Sequence, residues 1–265
     1  SNHVHMTENE GQSWELLSED LTRNDAERLV SSGGPITQDN TSVEYYCTIF
    51  AANESRLKEG LLWVGTDDGL VHVTKDGGKS WENVTPTGMP EWMMINSIEP
   101  SNFDEGTCYI AGTRYKLGDF KPYLYRTTDY GKTWNKITSG IDNEHFTRVL
   151  REDPSQKGLL YAGTETGMYI SFNNGSNWQA FQLNLPIVPI TDLALKDNSL
   201  IVATQGRSLW MLDDLTLIHQ LENAKQGDKN YLFAPKSTYR TKGGGGKESK
   251  TAGTNIENGV ITYFN

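Results

Sequence analysis

Short apolar runs alternate with polar turns along most of the chain. Val43-Glu-Tyr-Tyr-Cys-Thr-Ile-Phe50, Ile95-Asn-Ser-Ile98, Phe146-Thr-Arg-Val-Leu-Arg151 and Ile190-Thr-Asp-Leu-Ala-Leu195 alternate in polarity and favour β-branched and aromatic residues, which predicts strands. A second set ends in Gly-Thr or its remnant: Leu61-Leu-Trp-Val-Gly-Thr66, Cys108-Tyr-Ile-Ala-Gly-Thr113, Leu159-Leu-Tyr-Ala-Gly-Thr164 and Leu200-Ile-Val-Ala-Thr204. A third set runs over Leu70 to Thr74, Tyr123 to Thr127 and Met168 to Ser171, and a fourth over Trp81 to Val84, Trp134 to Ile137 and Trp178 to Gln182. Four strands in each unit, repeated at about 40 to 50 residues, predict an all-β fold: a β-propeller of four-stranded antiparallel blades.

The third and fourth strands are joined by one recurring turn. It reads Thr74-Lys-Asp-Gly-Gly-Lys-Ser-Trp81, Thr127-Thr-Asp-Tyr-Gly-Lys-Thr-Trp134 and Ser171-Phe-Asn-Asn-Gly-Ser-Asn-Trp178, and a further copy opens the chain at Thr7-Glu-Asn-Glu-Gly-Gln-Ser-Trp14. Asp or Asn can accept hydrogen bonds from backbone amides just ahead, Gly supplies a positive φ, and Trp returns the chain to an apolar surface. These segments resemble the Asp-box, or BNR, repeat of sialidases, xyloglucanases and sortilin-type receptors. The resemblance implies a structural role for Asn9, Trp14, Asp76, Trp81, Asp129, Trp134, Asn173 and Trp178, and carries no catalytic residue with it. Asn at positions 9 and 173 agrees, since Asn keeps the turn bond and loses the titratable group.

The box tryptophans lie 67, 53 and 44 residues apart, so insertions vary around a constant core. Residues 1–42 are expected to hold a partial blade with a loop insertion, including a short helix near Asn24 to Leu29. Boxed blades follow at about 43–88, 89–140 and 141–184, then a last unboxed blade at 185–219 whose turn has decayed to Met211-Leu-Asp-Asp-Leu215. Residues 220–265 read as a linker, a flexible loop at Gly243 to Gly246 and the start of a following β domain at Gly259 to Phe264. Because the first blade is entered at its third strand, the chain is expected to be part of a larger propeller, completed by a missing N-terminal part of the same protein or by another chain.

Further segments, among them Gly34-Pro-Ile-Thr-Gln-Asp-Asn, Gly88-Met-Pro-Glu-Trp, Ala111-Gly-Thr-Arg-Tyr-Lys and Gly206-Arg-Ser-Leu-Trp-Met-Leu-Asp-Asp, resemble the C-terminal part of large exported bacterial proteins. These are of the glycosyl hydrolase-like or sortilin-like BNR class. The resemblance covers roughly residues 1 to 220. It implies an extracellular, periplasmic or cell-surface location, although no signal peptide is present in this segment.

Charge narrows the partners. Lys and Arg number 24 against 34 Asp and Glu, a net charge of −10, which argues against nucleic acid. No apolar run approaches the roughly 18 residues of a membrane helix, so no membrane insertion is expected. Cys47 and Cys108 make no metal motif, no His/Asp cluster has metal spacing, and no cofactor is implied; two buried free thiols are expected. Sequons at Asn40, Asn53, Asn83 and Asn174 would matter only in a eukaryotic secretory pathway.

The box fixes which end of the blades to search. It shares an end with the turn between strands one and two, and the opposite end carries the loops after strands two and four. In the resembling sialidases and xyloglucanases that opposite face binds sugar. Here it collects Glu44, Tyr45, Asp67, Asp68, Glu91, Trp92, Arg114, Tyr115, Lys116, Asp119, His145, Arg148, Glu165 and Arg207. Glu91 and Asp67 are the candidate catalytic acids. Trp92, Arg114, Tyr115, Lys116, Asp119, Arg148, Glu165 and Arg207 are the candidate substrate-binding residues. Aromatic faces stack on sugars, and acids about 5 to 9.5 Å apart can hydrolyse a glycosidic bond. The bland reading of Trp92 is that it packs between blades. Three classes stay open: a propeller that binds or hydrolyses carbohydrate, a sortilin-like propeller holding a peptide or protein partner, and a structural segment of a larger assembly.

Overall fold

The computed structural model describes residues 1–31, 33–37, 45–226, 231–237 and 263. The chain divides into a unit of Ser1–Leu195 with Ile201–Trp210, and a second of Lys196–Leu200 with Met211–Asn265. Strands β1 (His5–Met6) and β2 (Glu15–Leu16) pair as a two-stranded sheet. Three four-stranded antiparallel meanders follow. They are β3 (Ile49–Glu54), β4 (Leu62–Thr66), β5 (Val71–Thr74) and β6 (Glu82–Asn83); β7 (Met94–Pro100), β8 (Cys108–Arg114), β9 (Asp119–Thr127) and β10 (Asn135–Lys136); then β11 (Thr147–Glu152), β12 (Leu160–Thr164), β13 (Met168–Ser171) and β14 (Gln179–Ala180). A last sheet has the order β15 (Ile190–Lys196), β16 (Ser199–Thr204), β17 (Leu209–Leu212). Sequential four-stranded meanders stacked face to face are β-propeller blades, the architecture expected from the alternation.

The register explains the repeat. Leu62 pairs with Thr74, Cys108 with Thr127 and Leu160 with Ser171, so the second and third strands of each blade are set against the same turn. Trp63, Val71 and Val73 pack on Cys108, Ile110, Tyr123 and Tyr125 of the next blade. Tyr109, Ala111 and Leu124 pack in turn on Leu150, Leu160, Ala162 and Tyr169. The Gly of two of the Gly-Thr pairs allows this approach: a Cβ on Gly65 would sit 2.4 Å from Ile95 Cγ2, and one on Gly163 would sit 2.6 Å from Ile190 Cγ2.

All four repeat turns are built alike. The leading hydroxyl donates to the Asp or Asn oxygen two residues on, at 3.0 Å from Thr7, 2.8 Å from Thr74 and Thr127, and 3.0 Å from Ser171. It accepts the amide of Gly11, Gly78, Gly131 or Gly175 at 2.9 to 3.0 Å. That same Asp or Asn oxygen accepts the amide four residues ahead, at 2.9 to 3.0 Å. The tryptophans then reach outward. Trp81, Trp134 and Trp178 each donate their indole N–H to a carbonyl of the preceding blade, at Leu17 (2.9 Å), Val84 (2.7 Å) and Ile137 (2.7 Å). Each acceptor stands three residues after the preceding turn's own tryptophan. Trp14, with the same turn around it, is 62% exposed.

Trp178→Phe is therefore expected to lower stability by about 1–2 kcal/mol, because the Ile137 carbonyl loses its donor in a buried interface. Trp14→Phe should change stability by less than about 0.5 kcal/mol. Urea unfolding of both variants reads the difference, and equal effects would disprove a stabilising role for the Trp178 indole bond to Ile137.

Several boundaries differ from the sequence expectation. The fourth strands shorten to two residues each, since only two positions pair before the chain leaves the sheet. The first strand of the second sheet starts at Ile49, and Cys47, at φ 69, breaks the extended run before it; Val43 lies outside the described residues. The expected short helix is a 3-10 turn at Ala26–Arg28, capped by Asp25, whose carboxylate accepts the Glu27 amide. Asp213-Asp214 forms no decayed turn: Asp214 accepts the Thr216 amide at 2.9 Å and opens α1 (Thr216–Gln226), so the last sheet has three strands and the stretch from 220 starts inside a helix and not in a linker. Cys47 and Cys108 are buried and free. The Gly243–Gly246 loop, Glu44 and, apart from Tyr263, the strand expected at 259–264 lie outside the described residues.

Candidate functional site

Within each antiparallel blade the connections after the second and fourth strands emerge at the end opposite the repeat turns. Asp67 and Asp68 follow β4, Arg114 ends β8, and Glu165 follows β12. The Asp67 and Glu165 amides donate back to the carbonyls of Thr48 and Phe146, at 2.9 and 3.1 Å, which fixes where each side chain leaves the sheet. After Arg114 the chain makes a 3-10 turn at Tyr115–Leu117, closed by Gly118 at φ 72.

Two aromatic groups result. Trp92, at φ 59, has the Arg28 guanidinium 4.8 Å and the Arg23 guanidinium 5.2 Å from its ring centre, with Tyr46 edge-on at 5.5 Å. Tyr115 stacks on Phe146 at 5.4 Å and 19°, Phe120 leans on Phe146 at 6.1 Å, and Arg148 lies 5.2 Å from the Phe146 ring. Phe120 is 52% exposed, so this second group presents an apolar surface to solvent. Lys116 lies 5.8 Å over Tyr46 and links the groups. Tyr46, Trp92, Arg114, Tyr115 and Lys116 line a crevice of only about 10 Å³. That is room for a water molecule, so any large ligand must lie across the surface.

Most acids on this end already have partners. Asp119 pairs with Arg114 at 3.0 Å and accepts the Tyr123 hydroxyl at 2.7 Å. Burial pushes the Asp119 carboxyl up, but the bonds from Tyr123, Lys121 and Arg114 outweigh it and hold the group below its ordinary value. Glu165 accepts the Arg148 Nε at 2.7 Å. Asp68 is fully buried and accepts the Arg23 amide at 2.7 Å and the Thr66 hydroxyl. Asp67 is buried and accepts the Thr48 amide at 2.8 Å; burial raises its carboxyl above the ordinary value, with the neighbouring Asp68 adding to the effect. Glu91 alone of the two candidate catalytic acids faces water: its side chain is 74% exposed and touches Arg23 at 3.8 Å.

Arg114, Tyr115, Lys116, Asp119, Arg148 and Glu165 are thus brought together, with Trp92 and Glu91 beside them. Arg207 is exposed, and among the described residues its guanidinium reaches the Gly206 carbonyl, at 3.5 Å. His145 is held by the Tyr169 hydroxyl at 2.7 Å. Arg23, Arg28, Tyr46, Phe120 and Phe146 escaped the sequence reading. The two arginines flank the 3-10 turn of an insertion placed outside the blades, and only the Arg-x4-Arg spacing around that turn hinted at a paired role. At the opposite end, the Ser80 hydroxyl and amide hold the Asp76 carboxyl at about 2, so it stays ionised near neutrality and cannot donate a proton there. Among the described residues no three His, Cys, Asp or Glu side chains gather with metal spacing, and no helix is long and apolar enough to cross a membrane.

The fold and this end of it define a β-propeller segment, and comparison with known proteins narrows the likeness. No family model matches the chain. It is 27% identical over 108 residues to the oligoxyloglucan-reducing end-specific xyloglucanase of Emericella nidulans, covering 40% of this chain and 13% of that protein. It is 25% identical over 162 residues to xyloglucanase Xgh74A of Acetivibrio thermocellus, covering 52% of this chain and 19% of that one. The crystal structure of an ancestral GH74 enzyme superposes with a TM-score of 0.53 at 18% identity, over 77% of this chain and 26% of that structure. The chain thus spans less than a fifth of the length of these xyloglucanases.

Proposed function

We propose that this segment is an Asp-box propeller that binds a neutral glycan across the end of its blades opposite the repeat turns, in an exported glycosyl hydrolase-like protein. The observation that carries the reading is the pair of ring groups, Tyr115–Phe146–Phe120 and Trp92–Tyr46, beside acids whose charge arginine already balances. Ring faces suit the C–H faces of sugars. Arg114 and Arg148 are already paired with Asp119 and Glu165, which favours an uncharged chain of the kind named for the relatives, xyloglucan. Arg114, Lys116, Asp119, Arg148, Glu165 and Arg207 supply donors and acceptors to hydroxyls around the rings. Glu91 is the acid placed to meet the ligand directly, whereas Asp67 acts through the loop it holds. The bare Trp14 indole fits a preceding blade, from the same protein or another chain, that completes the propeller.

Titration with xyloglucan oligosaccharides tests the reading. Phe120→Ala with Tyr115→Ala is expected to weaken binding about tenfold or more, in line with about 1–3 kcal/mol for a lost stacking face. Asp129→Asn, at a repeat turn, should leave it unchanged. No saturable binding by the parent chain, or equal loss in all variants, would remove the proposal.

A further inference from the structure

The first strand of each four-stranded blade, the one nearest the propeller axis, carries a β-bulge at the end opposite the repeat turns. Ile49 pairs with Thr66 and Ala51 with Gly65, so Phe50 is the extra residue of β3. Thr147 pairs with Thr164 and Val149 with Gly163, which leaves Arg148 as the extra residue of β11. In β7 it is Asn96, one rung further along, between Ile95 and Ser97. A bulge takes its residue out of the ladder and re-aims the side chain, and three consecutive blades use one here.

The re-aimed side chains go to one place. Arg148 reaches Glu165, just past the end of β12, with its guanidinium 5.7 Å from the Tyr115 ring and 5.2 Å from the Phe146 ring. Asn96 turns back to the matching end of β8, where its Oδ1 accepts the Thr113 hydroxyl at 2.8 Å. Among the described residues its Nδ2 donates to no group, so both amide protons are left for a ligand. Phe50 holds the register position of Arg148 and is 54% exposed. A lone exposed ring means little. Asn96 and Arg148, however, each have a four-stranded blade before them and are still partly exposed, so the bulge sets this direction whatever stands before β3.

The first strands also lie side by side. Asn53 Nδ2 donates to the Ile98 carbonyl at 3.3 Å and Ser97 Oγ to the Leu150 carbonyl at 3.4 Å, which ties β3 to β7 and β7 to β11. Phe50, Asn96 and Arg148 therefore form a row across three blades, and the row ends at the Tyr115–Phe146–Phe120 group. Phe50 and Asn96 are uncharged, as a neutral chain requires. We propose that this row extends the glycan surface inward, with Phe50 as a further stacking face and Asn96 Nδ2 as a donor to a sugar oxygen. The bound chain then runs from Phe120, on the third strand of its blade, to Phe50, on a first strand. The inference rests on the glycan reading above and adds to it the path and the length of the chain that is held.

Titration of the whole chain with single-repeat and double-repeat xyloglucan oligosaccharides tests this. The parent should bind the longer one about tenfold more tightly, because only that chain covers both ring faces. Phe50→Ala should remove this gain and leave the affinity for the shorter one within about twofold, whereas Phe50→Tyr, which keeps the ring face, should retain the gain within about threefold. Asn96→Ala should weaken binding of the longer chain by about fivefold, the worth of one hydrogen bond. A merely structural role for either residue would lower both affinities alike. If Phe120→Ala with Tyr115→Ala weakens binding while Phe50→Ala and Asn96→Ala bind the longer chain as the parent does, the surface stands and its inward extension is overturned. If the parent binds neither oligosaccharide, both fall.

Discussion

Gly140→Ala is expected to destabilise the protein by about 3–5 kcal/mol, read as a lower midpoint of urea unfolding. Gly140 adopts φ +93, and a Cβ there would lie 2.2 Å from the carbonyl oxygen of Trp178, a backbone atom that cannot swing aside. The same contact holds the next blade. The Trp178 amide donates to Ser139 at 2.8 Å and its indole to Ile137 at 2.7 Å. Relief of the clash must pull at least one of these bonds apart, each worth about 1 kcal/mol, in addition to the positive-φ strain of about 1–2 kcal/mol. Gly118→Ala is the control. Gly118 has φ +72 with nothing within 4 Å of its would-be Cβ, so only the backbone term of about 1 kcal/mol should appear. If both variants unfold alike, the close approach at Trp178 is not what fixes this interface.

Gly140 also marks where sequence reading stops. The repeat turns were legible because the bonds that shape them run within about five residues, from Thr74 to Asp76, Gly78 and Ser80. A local device leaves a local spelling. Gly-Thr was legible only as a repeated spelling, since its cause, Ile95 against Gly65, lies in the next blade. Gly140 has no counterpart at the same distance from Trp81 or Trp178, where Thr87 and Asn184 stand, so nothing in the repeat distinguishes it from the other glycines.

The candidate site was legible as a place and not as a set of pairs. Strand order alone puts Arg114, Arg148 and Glu165 at one end of the blades. Which acid meets which base depends on loop paths, and these follow no periodicity. Asp68 is taken by the Arg23 backbone, 45 residues away, and Arg23 and Arg28 enclose Trp92 from an insertion. Trp92 is thus flanked by arginines of the insertion, while exposed apolar surface falls to Phe120, just after the Tyr115–Leu117 turn.

The second large effect belongs to Glu99 and Arg151, at the inner strands. Arg151 donates to Leu193 carbonyl (3.0 Å), Ser97 Oγ (2.6 Å), Leu150 carbonyl (2.9 Å) and Asp192 Oδ1 (2.7 Å), so one guanidinium ties β7, β11 and β15. Glu99 lies 3.7 Å from it with its side chain 13% exposed. Burial pushes the Glu99 carboxyl up to about 7, and Arg151 offsets only part of that rise. An acid whose folded pKa is raised binds more protons folded than unfolded. Its contribution is therefore fully present below the ordinary value of 4.5 and is lost as pH rises through about 7. Glu99→Gln, which mimics the protonated form, should match the parent at pH 4 and exceed its stability by about 2–3 kcal/mol at pH 8. Arg151→Met should destabilise at every pH, by about 3–5 kcal/mol above pH 7, where it strands the ionised Glu99, and by less at pH 4, where Glu99 carries a proton. Unfolding free energies measured from pH 4 to 8 decide it. If Glu99→Gln falls in stability between pH 4 and 8 as steeply as the parent, the proton is not held at Glu99. If Arg151→Met loses the same amount at both ends of that range, the guanidinium serves the three strands alone and leaves the carboxyl to its burial.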